Sequence, residues 1–158
     1  MIVPLTLGTL LLVINLGVQV LAVAILVRYF ASKIGTGLLE PNIPNDVRTL
    51  SVIMAVLFVG HILQFGTWAA LFLALGEFED FATAFYHSTV NFTSLGYGDI
   101  VMSEEHRLLG ALEAANGVLM FGLSAGTILT IMNGLFSRRK AMVSLRNQIE
   151  EQDRDTNR

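Results

Sequence analysis

The stretch N-F-T-S-L-G-Y-G-D-I, Asn91 to Ile100, decides how the whole chain is read. Two glycines bracket a tyrosine, two hydroxyl residues precede them and a carboxylate follows. Alone, Gly-Tyr-Gly before Asp reads as a surface turn. The preceding segment argues against that. Asp80 to Thr93, D-F-A-T-A-F-Y-H-S-T-V-N-F-T, is apolar and aromatic, and acid at Glu79 and Asp80 marks its start as a helix N-terminus. About 12 helical residues reach ~18 Å, too short to cross a ~30 Å hydrocarbon core. A short helix followed by a Gly-rich return predicts a re-entrant loop, which is tolerated only where protein buries it or where it lines a water-filled cavity. Gly96 and Gly98 let the chain take positive φ at every second position, which aims successive carbonyls to one side. A row of carbonyls facing one axis is a site for dehydrated cations. One chain cannot close such a ring, so the loop implies a symmetric oligomer.

The composition agrees with a membrane setting. Of 158 residues, 53% are hydrophobic and only 15% charged, against about 25% charged in a typical soluble domain. Mean hydropathy is +0.62. Three apolar blocks carry this excess: Ile2 to Phe30, Leu50 to Leu75 and Leu108 to Phe136. The first would be about 43 Å long as a helix, enough to span. Its N-terminal end has no basic n-region and the run is too long for a signal peptide, so a retained span is expected. The Lys33 to Arg48 stretch, with two prolines and two glycines, reads as a loop. The Ser137 to Arg158 tail reads as a short amphipathic helix over Met142, Leu145 and Ile149, with a frayed end.

Charge fixes the expected orientation. Arg28, Lys33 and Arg48 flank the first linker, and Arg138, Arg139, Lys140 and Arg146 follow the third block. The segment between the second and third blocks holds Glu77, Glu79, Asp80, Asp99, Glu104 and Glu105 against Arg107. The positive-inside rule then places linker and tail in the cytoplasm, and the N-terminus and the Asn91–Ile100 loop outside, for a multi-pass protein of the plasma (inner) membrane. A net charge of −3 implies no nucleic-acid partner, and the absence of cysteine excludes disulfides and thiolate sites. No nucleophile–base pair stands out and three scattered histidines lack ligand spacing, so no enzyme is expected.

Polar residues inside the apolar blocks are the remaining signals. Asn15 and Gln19 lie one turn apart, and His61, Gln64 and Trp68 share a face, which fits helix–helix hydrogen bonding, with His61 as a proton sensor the alternative. Glu113 is an acid in a span. It either braces the short helix through Asn91 or Ser88, or couples pH to the loop.

T-S-L-G-Y-G-D, Thr93 to Asp99, resembles the selectivity filter of the potassium-channel superfamily. H-R-L-L-G-A-L-E-A-A-N-G-V-L-M-F-G-L, His106 to Leu123, resembles the pore-lining helix of small bacterial potassium channels. The resemblance implies an all-α membrane protein: an extra N-terminal span (1–31), a cytoplasmic linker (32–49), a pore domain of outer helix, pore helix, filter and inner helix (50–136), and a charged cytoplasmic tail (137–158). It implies a homotetramer in the lipid bilayer that passes potassium ions. By it, the Ser94, Leu95, Gly96 and Tyr97 carbonyls, with Gly98 completing the motif, replace the ion's water shell. Thr93, Asp99, Tyr86 and Glu113 support the filter, and Tyr97 packs against the short helix. By the same match Gly117 is the gating hinge, although close helix packing explains a glycine there equally, and Val118, Phe121 and Ala125 line the cavity. Leu129, Met132 and Phe136 are candidates for a constriction. The chain departs from the family at Ser94 (usually Thr), Leu95 (usually Val or Ile), Tyr86 (commonly Trp, which bonds the carboxylate after the filter, a role open here to Tyr86 or His87 toward Asp99) and Val90 (Glu in some members). The alternatives are a non-selective monovalent cation channel and a non-conducting scaffold that keeps the pore fold.

Overall fold

A computed structural model describes residues 2–35 and 42–156. Among them it holds four helices and no strand: α1 (Ile2–Gly35), α2 (Ile43–Ala74), α3 (Phe81–Phe92) and α4 (Arg107–Thr156). The three long helices are each long and apolar enough to cross a membrane. A helix satisfies its own backbone in lipid, which is why uninterrupted apolar runs take this form. The side chains that face outward from α1, among them Leu10, Val13, Leu21 and Ile25, are apolar and exposed, as a lipid-facing surface requires.

Two boundaries differ from the expected ones. The linker was expected over Lys33 to Arg48, but α1 continues to Gly35 and α2 begins at Ile43. Asn42 caps α2, its side-chain oxygen accepting from the Asn45 N–H at 2.9 Å, and Pro44 sits in the first turn, where its missing N–H costs nothing. Of the expected loop, residues 36–41 lie outside the described residues. The tail does not fray within the described range. α4 is one helix of 50 residues, and Arg146 meets Glu150 one turn on at 2.9 Å.

α1 and α4 run in the same direction. Gly8 lies against Leu109 and Leu112, and further along Gln19 meets Ser124. A Cβ at Gly8 would come 3.1 Å from a Leu109 methyl and closer still to Leu112, so the small residue sets how near the two helices pass. α2 runs the opposite way and packs against both. The three are laced by polar side chains: Gln64 Nε2 donates to Gln19 Oε1 (2.8 Å), Gln19 Nε2 donates to Ser124 Oγ (2.8 Å), and His61 Nε2 lies 3.1 Å from the same hydroxyl. Thr67 Oγ1 donates to Asn15 Oδ1 at 3.0 Å. The expected helix–helix role of Asn15, Gln19, His61 and Gln64 is what the structure has. Deeper along the same helices, Leu26, Phe30, Ile53 and Leu57 form an apolar cluster against Ile128 and Ile131.

Gln19 is the centre of that lacing, so Gln19→Leu strands the Gln64 amide and removes a donor from Ser124. We expect a loss of about 1–3 kcal/mol, read as a lower thermal unfolding midpoint in detergent. An unchanged midpoint would show that α1 is held by apolar packing alone.

Candidate functional site

The loop after α3 is placed by three sets of contacts. The first sets the start of α3. Asp80 is its N-cap, accepting from the Thr83 N–H (2.9 Å) and the Thr83 hydroxyl (2.7 Å). The Thr83 backbone bond first, then the hydroxyl, hold its carboxyl below the usual carboxylate range.

The second fixes the end of α3 against α4. A Cβ built at Gly117 would lie 2.9 Å from Phe92 Cδ1 and still closer to the Phe92 carbonyl. Only the absence of a side chain lets α4 pass the last turn of α3 at this distance. Phe92, Phe65, Trp68, Phe72, Leu109 and Met120 form the apolar core around this crossing. Glu113, one turn before Gly117, is fully buried and bonds Ser88. Ser88 Oγ also lies 2.9 Å from the Phe65 carbonyl on α2. A hydroxyl has one hydrogen and a carbonyl only accepts. Both bonds coexist when the Glu113 carboxyl supplies the second hydrogen, so this geometry calls for Glu113 as the neutral acid. Of the two routes expected for bracing, through Ser88 or through Asn91, the structure has the first; the Asn91 amide meets His87 Nε2 instead, at 2.8 Å.

The third holds the exit of the loop. Tyr86 O–H donates to Asp99 Oδ2 at 2.7 Å, and this bond foremost keeps the Asp99 carboxyl below its usual range. His87 does not serve Asp99; its Nδ1 lies 3.0 Å from the Ile100 carbonyl oxygen. Further out, Glu77 takes three bonds from the approach to α4: the Ser103 N–H (2.7 Å), the Ser103 hydroxyl (2.6 Å) and His106 Nδ1 (2.6 Å). Burial pushes the Glu77 carboxyl up, but the Ser103 bonds and then His106 outweigh it and leave it below the usual range. Sequence reasoning missed this clasp, counting Glu77 only as outer-side charge. The signal was a carboxylate facing a serine and a histidine 26 and 29 residues away, which no local pattern reveals.

Between these anchors the backbone alternates. φ is +58° at Ser94, +58° at Gly96 and +72° at Gly98. The two glycines were expected; Ser94 was not. A left-handed serine is uncommon and costs backbone strain, so the surrounding bonds must hold it. Ser94 N–H donates to the Asn91 carbonyl (2.8 Å) and Leu95 N–H to that of Val90 (2.9 Å), which ties the start of the loop back onto α3. Beyond that the chain does not cover the loop: residues 93–99 are exposed, Leu95 at 55% and Tyr97 at 67%. Tyr97 therefore does not pack on the α3 of its own chain. On α4, Val118, Phe121 and Ala125 are exposed, as are Leu129 and Phe136, while Met132 is half-buried. Phe121 rests on the His61 ring, with centroids 4.7 Å apart.

Two outcomes follow. Gly117→Ala places a methyl group in the space of the Phe92 carbonyl and should cost about 1–3 kcal/mol as overpacking, seen as a lower unfolding midpoint; a neutral result would mean that α3 and α4 separate at no cost. For Glu77, the lowered folded value means that its stabilisation is complete at neutral pH and is lost as pH falls below the ordinary carboxylate range and through the lowered value. Glu77→Gln should therefore lower the midpoint at pH 7 and flatten its fall toward acid, which a pH series of thermal melts would check.

Comparison with known proteins agrees with this arrangement. A family model described as "Ion channel" matches residues 49–133. The chain is 30% identical over 95 residues to the voltage-gated potassium channel Kch of Escherichia coli, a match covering 58% of this chain and 23% of that protein. It is 31% identical over 109 residues to potassium voltage-gated channel subfamily A member 2 of Oncorhynchus mykiss, covering 66% of this chain and 22% of that protein. The matches thus span less than a quarter of either relative. No solved structure matches the chain. With more than half of its length inside the family model, and three helices able to span around one half-length helix and its loop, the chain belongs to the ion-channel family as a pore-loop membrane protein of the potassium-channel superfamily.

Proposed function

We propose that the chain assembles as a homotetramer in the plasma (inner) membrane and passes potassium ions passively through a filter built from residues 94–98 of each copy. The carbonyls of Ser94, Leu95, Gly96 and Tyr97, with the Ser94 hydroxyl at the inner end, take the place of the ion's water. The observation that carries this reading is positive φ at Ser94, Gly96 and Gly98, alternating with ordinary φ between them. In a regular strand successive carbonyls point to opposite sides; this alternation turns them toward one side, where copies around an axis stack them into rings. The bare surface of the loop supports the oligomer, because 93–99 lack cover from their own chain while the segments on either side are anchored. Tyr97 would find its packing on the short helix of a neighbouring copy. The carbonyl end of α3 points its partial negative charge toward a central cavity, which favours a cation there. Tyr86, Asp99, Thr93 and Glu113 support the filter, and Val118, Phe121 and Ala125 line the cavity.

In this reading residues 50–136 are the pore domain, residues 1–31 an added span, 32–49 a cytoplasmic linker and 137–158 a cytoplasmic tail, with the N-terminus outside. Gly117 has two parts to play. It admits the Phe92 carbonyl, and a bend of α4 at this point would draw the inner helix away from the base of the filter, which couples a gate to the loop.

Flux from the purified full-length protein in liposomes tests the reading. Potassium efflux well above protein-free vesicles, with sodium efflux near that background, is the expected result. Equal fluxes would favour a non-selective cation channel, for which the Ser94 and Leu95 departures give the physical ground. No flux of either ion would favour a scaffold.

A further inference from the structure

His87 stands one residue past Tyr86 on α3, buried, with both ring nitrogens engaged. Nδ1 lies 3.0 Å from the Ile100 carbonyl oxygen, which accepts and cannot donate. Nε2 lies 2.8 Å from Asn91 Nδ2, which donates and cannot accept. The two bonds hold together in one proton state: hydrogen on Nδ1, a free lone pair on Nε2, and no charge on the ring. Asn91 lies one turn on from His87, in the last turn of α3 before the loop. Glu113 bonds Ser88, whose hydroxyl reaches the Phe65 carbonyl on α2. One run of hydrogen bonds therefore joins the residue beyond Asp99 to the end of α3 through the His87 ring, and a separate one joins the inner helix to the outer helix.

We propose that His87 is a positioning residue for conduction: as a neutral ring with its hydrogen on Nδ1, it struts the exit of the filter at Ile100 against Asn91 in the last turn of α3. The proposal rests on the reading of residues 94–98 as an ion filter. Its chemistry has a consequence for acid. A second hydrogen on Nε2 would face the Asn91 NH2, donor against donor. The contact is restored only if the Asn91 amide turns over. Protonation of His87 thus breaks the strut at Asn91. The surroundings limit what else could answer to pH. Phe72 from α2 and Phe78 from the following turn pack on the ring, with centroids 5.6 and 4.9 Å away. Glu77 and Asp99 are the charged groups that act on it, and Glu104 and Arg107, ahead of and at the start of α4, line the same cavity.

Two measurements on the full-length protein decide this. In lipid nanodiscs with ¹⁵N-labelled histidine, the ring nitrogen shifts report the tautomer directly. At neutral pH the His87 signals should show a protonated Nδ1 and a bare Nε2. His61→Gln and His106→Gln remove the other two histidines, so the assignment does not depend on altering His87. A hydrogen on Nε2 overturns the proposal. The second measurement is the lifetime of potassium current as the outer solution is acidified. Wild type should lose lifetime about tenfold, as expected for one buried hydrogen bond lost. His87→Asn donates to Ile100 with its own amide but has no titrating ring, and its lifetime should not change with acid. The same acid response in His87→Asn overturns the proposal. If wild type passes no ions the filter reading fails, and the nitrogen shifts still decide the proton placement.

Discussion

The arrangement depends on the crossing of α3 and α4 at Gly117. The carbonyl at the end of a half-length helix occupies the space where any other residue would have a side chain. This fixes where α3 stops relative to α4, and so where the following loop begins. Around it Phe65, Trp68, Phe72, Phe92 and Met120 give the crossing an apolar setting. The Glu113–Ser88 pair one turn away adds a polar lock that reaches across to α2. Apolar packing sets the distance there, and hydrogen bonding sets the rotation.

From that crossing the loop is held at two ends and left bare between. Backbone bonds tie Ser94 and Leu95 to α3, while Tyr86 and His87 take the far end at Asp99 and Ile100. The strain of a left-handed Ser94 is affordable only with both ends secured. The outer clasp of Glu77 with Ser103 and His106 belongs to the same scheme, because it holds the approach to α4 over the loop's exit. α1 adds a different constraint. Its Gln19 bonds Ser124 below Gly117, so α4 is secured on both sides of the residue that resembles a hinge.

Much of this was legible in the chain. Three apolar runs gave the three long helices, and the Asp80 start with its apolar, aromatic run gave α3 closely, because a cap and a hydrophobic face are local signals. Asn15 and Gln19 stood out because polar groups in an apolar helix need partners. The misses have several causes, some local and some set by residues distant in sequence. The polar stretch after Phe136 read as a short amphipathic helix with a frayed end, yet α4 carries on through it to Thr156. Lys33 to Arg48 looked like a loop, but Pro44 sits where a helix accepts proline, just after the Asn42 cap. Positive φ at Ser94 has no sequence signature, since glycine marks such positions and serine does not. Gly117 could be read as a packing glycine or a hinge, and only the Phe92 carbonyl shows what its missing side chain admits. His87 was one of two residues offered to Asp99; the structure gives that role to Tyr86 and sends His87 to the backbone.

The central claim is that residues 94–98 of several copies face a common axis and hold dehydrated cations. The most direct test is a high-resolution structure of the assembled protein prepared in thallium, a heavy stand-in for potassium. The account predicts four copies around one axis, with a column of thallium density level with the Ser94 to Tyr97 carbonyls. Assembled protein whose loops point away from the axis, or an axis without ion density at that level, would contradict it.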